Sequence, residues 1–301
     1  MPLTLTLLTT TTIPLELERL TPEFAREQSL VALEKFPIWH GNQQRPLAEF
    51  FRISGDAADS TLTLSGDLSG VHGIGTRMTS GSIYVEGHAG RHLGSQMRGG
   101  EIHVSGNVSD WVGGEMRGGL IQVRGSAGDH VGSAYRGSRR GMRNGTILIH
   151  GSAGHELGHT MRRGLIAVAG DVGDFVGFNM LAGTILVGGR AGIRHGSGMK
   201  RGTIAFIGAH QPPLLPCFRA SSCCRPSYFG LLARELARRN FPLATAALTA
   251  SYQHYSGDLT EGGRGEILLR DRHQPEASAR EESFTAQSHD VLARSLAHAS
   301  G

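Results

Sequence analysis

The sequence predicts an all-β solenoid, a right-handed parallel β-helix of about seven to eight coils. Three observations support this fold class. Seven of the eight methionines recur at one position of a repeating unit, and most neighbours in the series are 19 residues apart. Each unit carries two apolar residues spaced two apart, which in a strand places both on one face. The 44 glycines, without a strict G-X-Y period, allow the many turns that short strands need.

The repeat predicts three inward-facing columns of side chains. The methionines are Met78, Met97, Met116, Met142, Met161, Met180 and Met199. The apolar pairs are Ile83/Val85, Ile102/Val104, Ile121/Val123, Ile147/Ile149, Ile166/Val168, Ile185/Val187 and Ile204/Phe206. The third column is Ile74, Leu93, Val112, Val131, Leu157 and Val176, and it breaks at His195. Methionine fills irregular apolar corners, so core packing is favoured over soft-metal ligation.

The segments on either side of the repeats predict caps for a solenoid whose ends would otherwise expose unpaired backbone. Residues 1–60 form the N-terminal capping segment, with a helix opened by Thr21-Pro22-Glu23, and residues 61–208 form the β-helix. Residues 209–271 form a C-terminal helical cap, in which YFGLLARELARRN has helical spacing and covers the open end. Residues 272–301 are polar, lack periodicity and are expected to be a flexible tail.

Composition excludes several classes of protein. A net charge of +4 over 301 residues is weak for nucleic acid binding, and no recognition module occurs. No run of eighteen apolar residues or basic signal region occurs, so we expect no membrane partner and a cytoplasmic location. The cysteines, Cys217, Cys223 and Cys224, fit neither a disulfide framework nor paired zinc knuckles and are expected to be reduced.

A literal H-E-x-x-H occurs at residues 155–159, where a metalloprotease would bind zinc. That signature works on a helix, which places residues four apart on one face. Here Gly154 and Gly158 occupy the turn positions that Gly90 and Gly94 occupy in an earlier repeat. We therefore predict no metal site there, and no spacing in the chain indicates catalytic residues.

The repeat itself resembles that of a known family. From about residue 62 to residue 208 the unit reads G-x-x-G-x-x-x-G-x-x-M-x-x-G-x-I-x-V, which resembles the repeat of the formylmethanofuran dehydrogenase C subunit. The C-terminal domain of the glutamate synthase large subunit shares this repeat. A second motif, Tyr255-Ser256-Gly257-Asp258-Leu259 followed by Gly263-Arg264-Gly265-Glu266-Ile267, resembles the C subunit signature Y-x-G-D-L…G-K-G-E-I, with Arg264 replacing the usual lysine. This second motif favours the formylmethanofuran dehydrogenase family over glutamate synthase.

The resemblance implies a noncatalytic structural or assembly subunit without autonomous activity. Its partners would be the A, B and D subunits of a formyltransferase/hydrolase or formylmethanofuran dehydrogenase complex, and the chemistry would belong to those subunits. Among the 30 basic residues only Lys35 and Lys200 are lysine, and this arginine skew favours the bacterial formyltransferase/hydrolase, which serves formaldehyde oxidation to formate. The alternative is a stand-alone relative of the glutamate synthase domain. A carbohydrate enzyme is disfavoured, because the sequence lacks the clustered acidic residues that sugar chemistry needs.

One column of charged residues follows the methionines. We call Arg98, Arg117, Arg143, Arg162 and Lys200 the basic column; Leu181 interrupts it. Like charges about 5 Å apart repel, so the column requires counterions. The counterions could be aspartates of the chain, acidic residues of a partner subunit, or the glutamate chain of a methanofuran-type cofactor. Such a cofactor would be bound in the complex, because we expect none on this chain alone.

An insertion of seven residues lengthens the 19-residue repeat between Met116 and Met142. It forms a basic loop that bulges from one coil, and loops of solenoids commonly contact partners. We therefore predict that this loop contacts another subunit through Tyr135, Arg136, Arg139 and Arg140.

Overall fold

The computed structural model describes residues 2–243 and 245–271, which are mostly β with few helices. The strands of this part are β1 (Leu3–Leu7), β2 (Leu15–Glu16), β3 (Pro37–His40), β4 (Gln43–Pro46), β5 (Phe51–Ser54), β6 (Thr61–Ser65), β7 (Val71–His72), β8 (Ser82–Glu86), β9 (Glu101–Val104), β10 (Leu120–Val123), β11 (Thr146–Ile149), β12 (Leu165–Val168), β13 (Thr184–Val187), β14 (Gly202–Phe206), β15 (Arg219–Cys224), β16 (Tyr252–Gly257) and β17 (Gly265–Arg270). The helices are α1 (Pro22–Arg26), α2 (Leu30–Glu34), α3 (Phe229–Arg238) and α4 (Thr245–Leu248), with 3-10 turns at Leu47–Glu49 and Leu259–Glu261. None of these helices has the length and apolar character needed to cross a bilayer. The predicted tail, residues 272–301, lies outside the described residues.

A large, mostly parallel sheet dominates the fold. Its thirteen strands within the described ranges follow the order β15-β16-β17-β14-β13-β12-β11-β10-β9-β8-β6-β1-β5. Equivalent residues of successive repeats stand side by side, so that Ile102 pairs with Ile83 on one side and Ile121 on the other. Isolated bridges join the repeats at a second position, as in Ala89 to Val108. This pairing is compatible with the predicted solenoid.

Both ends of the parallel sheet are closed by antiparallel strands. At the N-terminal end β1 pairs in parallel with β6 and antiparallel with β5, while β2, β3, β4 and β7 form a separate four-stranded sheet. At the other end β17 pairs in parallel with β14, and β16 and β15 follow in antiparallel register. The G-R-G-E-I segment thus adds a strand, since Ile267 lies beside Ile204 and continues the inward-facing pairs.

The C-terminal helices lie elsewhere than the sequence predicted. Instead of covering the open end, α3 packs Phe229, Ala233 and Leu236 into a cluster with Leu148 and Leu186 of the sheet. The physical reason lies in the strands of the later repeats, where the residue between the two inward-facing ones is also apolar. These strands therefore have two apolar faces, and the second needs a cover.

The predicted columns form the core. All seven repeat methionines have no exposed surface, and the apolar pairs are buried as their spacing predicts. The third column continues through His195, which is fully buried although we expected a break there. Its Nδ1 accepts a hydrogen bond from the Val176 N–H at 3.4 Å, and burial lowers the pKa of the imidazole.

The methionines pack their terminal methyl groups against glycines of the next repeat. A Cβ atom on Gly164 would lie 2.8 Å from Met142 Cε, and one on Gly119 would lie 2.7 Å from Met97 Cε. These glycines also have positive φ, +102° and +90° respectively. The pairing explains why M-x-x-G recurs in the sequence.

Polar side chains connect the turns of successive repeats. Asp110 Oδ1 accepts from the Asp129 N–H at 3.1 Å, Asp129 Oδ1 from the His155 N–H at 2.7 Å, and Asp174 Oδ1 from the Ile193 N–H at 2.9 Å. These carboxylates replace main-chain acceptors where the backbone turns away from the ladder. They are therefore committed to holding the repeats in register.

Candidate functional site

Backbone hydrogen bonds place the basic column in a continuous row. Arg98, Arg117, Arg143, Arg162, Leu181 and Lys200 each donate their N–H to the carbonyl of the methionine one repeat earlier, at 2.7–2.8 Å. The side chains that follow the methionines thus rise in equal steps, one per repeat. The structure stacks the five predicted cations in one row, with Leu181 in register between Arg162 and Lys200.

The C-terminal half of this row borders a basic groove of about 510 Å³. Its lining residues are Arg143, Arg162, Arg163, Leu181, Ala182, Lys200, Arg201 and Arg264. Arg163 and Arg201 were not predicted, although the M-R-R-G and M-K-R-G units show a second cation beside the column. Arg264 had no such signal, because it reaches the groove only through the pairing of β17 with β14.

The groove has few counterions of its own. Lys200 Nζ lies 3.4 Å from Glu261 Oε2, and this is the one ion pair of the basic column within residues 2–243 and 245–271. Arg117 Nε and Arg143 Nε are buried without a hydrogen-bond partner in that part of the chain. Burial lowers the pKa of Arg143, and the neighbouring charges of Arg117 and Arg140 lower it further. The arrangement is suited to bind an anion or an acidic surface.

The aspartates that could have neutralised the column are engaged elsewhere. Asp129 and Asp174 accept backbone hydrogen bonds between turns, and Asp110 does so while lying 3.3 Å from Arg91 Nε. Among the described residues, Glu261 pairs with Lys200 at one end of the column, and the charge of Glu115 favours the protonated form of Arg143. This leaves a partner subunit or an anionic ligand as the remaining predicted counterions.

The C-terminal signature holds one wall of the groove. Asp258 is 4% exposed; its Oδ2 accepts from the Gly198 N–H at 3.0 Å, and its Oδ1 accepts from the N–H and hydroxyl of Thr260. These bonds attach the loop to the last turn of the repeats. The same loop carries Glu261 and Arg264 to the groove.

The insertion loop divides into an anchor and an exposed part. Tyr135 is half-buried, its hydroxyl lies 2.6 Å from Ser95 Oγ and 3.0 Å from His92 Nδ1, and its ring stacks on Trp111. Burial raises the pKa of this phenol. Tyr135 therefore faces its own chain rather than offering itself to a partner. The other three predicted contact residues, Arg136, Arg139 and Arg140, are exposed.

The H-E-x-x-H segment is a turn and not a helix. Glu156 has φ +55° and Gly158 has φ +70°, both left-handed. His155 Nδ1 accepts from the Asp174 N–H at 3.0 Å, while His159 stacks on Phe178. The geometry that the zinc signature requires does not exist here, and residues 2–243 and 245–271 contain no group of three or more candidate metal ligands.

The three cysteines are free thiols, and burial raises the pKa values of Cys217 and Cys224. Cys217 is also beside the Asp258 carboxylate, which disfavours the thiolate. A raised pKa is the opposite of what a nucleophilic cysteine needs. These two thiols therefore have no features of a reactive site.

Comparisons with known proteins give a consistent result. The GXGXG motif family matches residues 56–213. The C subunit of the molybdenum-containing formylmethanofuran dehydrogenase 1 of Methanosarcina barkeri is 42% identical over 85 residues, and that of the tungsten-containing formylmethanofuran dehydrogenase 2 of Methanothermobacter thermautotrophicus is 39% identical over 85 residues. Each alignment covers 27% of this chain, and 28% and 32% of the respective relative. The chain thus spans about a third or less of these relatives' length.

A solved structure matches over a much greater length. It is a chain of the formyltransferase/hydrolase complex (FhcABCD) of Methylorubrum extorquens in complex with methylofuran, with a TM-score of 0.83 and 33% sequence identity. The match covers 89% of this chain and 100% of that chain. Together with the repeat, the G-D-L…G-R-G-E-I strand and the GXGXG match over more than half of the sequence, this shows that the chain belongs to the family of formylmethanofuran dehydrogenase C subunits.

Proposed function

We propose that this chain is the noncatalytic structural C subunit of a formyltransferase/hydrolase complex that serves formaldehyde oxidation to formate. The observation that carries the proposal is the full-length likeness to a chain of the Methylorubrum complex. The surroundings of the candidate reactive residues agree with it. His155 accepts a backbone hydrogen bond, His159 stacks on Phe178, and the pKa of Cys217 is raised by burial. The shared GXGXG repeat alone would also fit the glutamate synthase alternative, but the β17 signature and the full-length likeness favour the formyltransferase/hydrolase complex.

The proposal includes the predicted partners and architecture. The A, B and D subunits would assemble around a right-handed β-helix formed by residues 61–208. Residues 1–60 and 209–271 would flank it, and the complex would be cytoplasmic. The parallel pairing of successive repeats supports the solenoid. The second segment would close the end of the sheet with β15 to β17 and cover its side with α3 and α4.

Co-purification from the native host tests the assembly. With a tag on the full-length chain, we expect mass spectrometry to find formyltransferase and amidohydrolase-like subunits at comparable abundance. Replacing Arg136, Arg139 and Arg140 by glutamine should reduce their recovery, because exposed arginines at a solenoid insertion are suited to contact a partner. Deleting the whole insertion would be a poor test, since it removes half-buried Tyr135 and its contacts with Ser95 and His92.

The control for this experiment is Arg52→Gln, which alters an exposed arginine on β5, the edge strand at the N-terminal end of the sheet and several strands away from the insertion. It should leave the recovered subunits unchanged. Recovery of glutamate synthase chains instead of formyltransferase subunits would overturn the assignment to this complex. Equal recovery with the loop variant and with Arg52→Gln would remove the loop from the proposed interface.

We further propose that the basic groove binds carboxylates in the complex, supplied by the glutamate chain of a methanofuran-type cofactor or by an acidic partner surface. Its cations largely lack counterions within the described chain, which supports the proposal. Arginine suits this role because its planar fork pairs with carboxylates in a bidentate manner. The groove would hold the tail of the cofactor, while the furan would meet other subunits.

The double variant Arg143→Gln/Arg162→Gln tests the groove. The purified complex should lose its furan cofactor at a lower salt concentration than the wild-type complex, because two carboxylate contacts are absent and salt screens the others. Cofactor content after a series of salt washes measures this, with Arg52→Gln as the matched control. Loss of a partner with full cofactor retention would identify the acidic partner surface, and identical salt profiles would contradict the proposal.

A further inference from the structure

The basic groove contains an interruption that its charge alone does not explain. Leu181 occupies the place of a cation in the basic column, and its N–H bonds to Met161 as those of Arg162 and Lys200 bond to their methionines. The neighbouring row is interrupted in the same repeat, where Ala182 stands between Arg163 and Arg201. Both rows thus change from cationic to apolar in one repeat and return to cationic in the next.

This apolar step is part of the groove itself. Leu181 and Ala182 are half-buried and line the cavity together with the cations of the adjacent repeats. The groove therefore has two positive ends and an apolar floor. A bound anion would meet an arginine pair at one end, Leu181 in the middle and Arg201 at the other end.

The spacing of the repeats sets the distance between the two charged ends. Adjacent parallel strands lie about 4.8 Å apart, so cations two repeats apart are separated by roughly 10 Å along the row. Lys200 is already paired with Glu261, so Arg201 and Arg264 are the main cations that would attract an anion at that end of the groove. Carboxylates carried on aliphatic arms fit this pattern, because their methylene groups would lie on Leu181.

Resting on the proposed function of the groove, we propose that Leu181 is a specificity-determining residue that selects carboxylates on aliphatic arms over densely charged polyanions. A phosphate polymer has no apolar segment to place on Leu181 and leaves charged oxygens over a surface that cannot pair with them. A chain of linked glutamates satisfies both ends and the floor. The interruption would then set ligand choice, and not merely relieve repulsion between arginines.

Binding assays on the full-length chain separate these explanations. One probe is a fluorescent ten-residue poly-L-glutamate, whose binding is followed by fluorescence anisotropy at two salt concentrations. The other is unlabelled inorganic polyphosphate of the same charge, whose binding is measured by competition with the labelled oligoglutamate. Leu181→Ser should weaken oligoglutamate binding by about fivefold through loss of apolar contact, with little effect on polyphosphate. Leu181→Arg should tighten polyphosphate by about tenfold and reduce the preference for oligoglutamate.

Leu181→Met serves as the control, since it keeps an apolar floor of similar volume, and it should bind both probes like the wild-type chain. Melting midpoints of all variants verify that the fold is retained. If Leu181→Ser binds both probes as the wild-type chain does, while Arg143→Gln/Arg162→Gln weakens both, the groove binds anions but Leu181 does not select them. If the double variant also binds both probes unchanged, the groove proposal fails as well.

Discussion

Replacing Gly164 with alanine is expected to lower the free energy of unfolding by about 4 kcal/mol, from a strained backbone and an overpacked core. The added Cβ would lie 2.7 Å from the Gly145 carbonyl oxygen and 2.8 Å from Met142 Cε, at a φ of +102°. The backbone contact has no flexible partner that could yield. Urea unfolding followed by circular dichroism measures the change, provided that the transition remains cooperative.

The insertion loop provides a matched control for this substitution. Gly137 also has a left-handed φ, +83°, but nothing lies within 4 Å of an added Cβ. Gly137→Ala should therefore show only the backbone cost, about 1 to 3 kcal/mol. If both variants lose the same stability, the packing of methionine under glycine contributes nothing, and our account of the M-x-x-G pattern is wrong.

Asp258→Asn should lower the free energy of unfolding by about 2 to 3 kcal/mol at pH 7, because a buried carboxylate loses charge-assisted hydrogen bonds. The amide group has one acceptor oxygen where the carboxylate uses two, so either Gly198 or Thr260 loses its partner. Thermal and urea unfolding measure the loss. The exposed Asp59, whose Oδ1 accepts from the Thr61 N–H at 2.9 Å, is the control, and Asp59→Asn should cost less than about 1 kcal/mol.

The same carboxylate predicts a pH dependence. Burial alone would raise the pKa of Asp258, but hydrogen bonds from Thr260, Gly198 and Cys217 outweigh burial and hold it below the ordinary value of 3.8. A lowered folded-state pKa means that the stabilisation is complete above the ordinary pKa and is lost as the pH falls through the folded-state value. The stability gap between wild type and Asp258→Asn should be constant near neutrality and narrow below about pH 4. A gap that stays constant down to about pH 2 would contradict this assignment.

Periodicity made the interior predictable. Once the methionines fixed the register, the buried pairs and the row of cations followed from spacing alone, because each repeat places equivalent residues side by side. The H-E-x-x-H motif was excluded by the same register. Its glycines occupy turn positions, and Glu156 is left-handed in the structure.

Features outside the repeat were less accessible from the sequence. Helical spacing predicts α3 itself, but not its position. The helix lies on the side of the sheet because Leu148 and Leu186 make the outer face of their strands apolar. Tyr135 looked available to a partner, but its hydrogen-bond partners, Ser95 and His92, are about forty residues away in the sequence. Arg264 joins the groove through a strand pairing that skips more than fifty residues. Such long-range contacts leave no local pattern.

The buried methionines have a consequence for how the protein would respond to oxidants. Each repeat contains one thioether with no exposed surface, so sulfoxide formation requires that repeat to open first. The chain thus contains its own series of evenly spaced chemical reporters. Peroxide labelling would rank the local opening of Met78 through Met199 in order along the sheet, without any engineered probe.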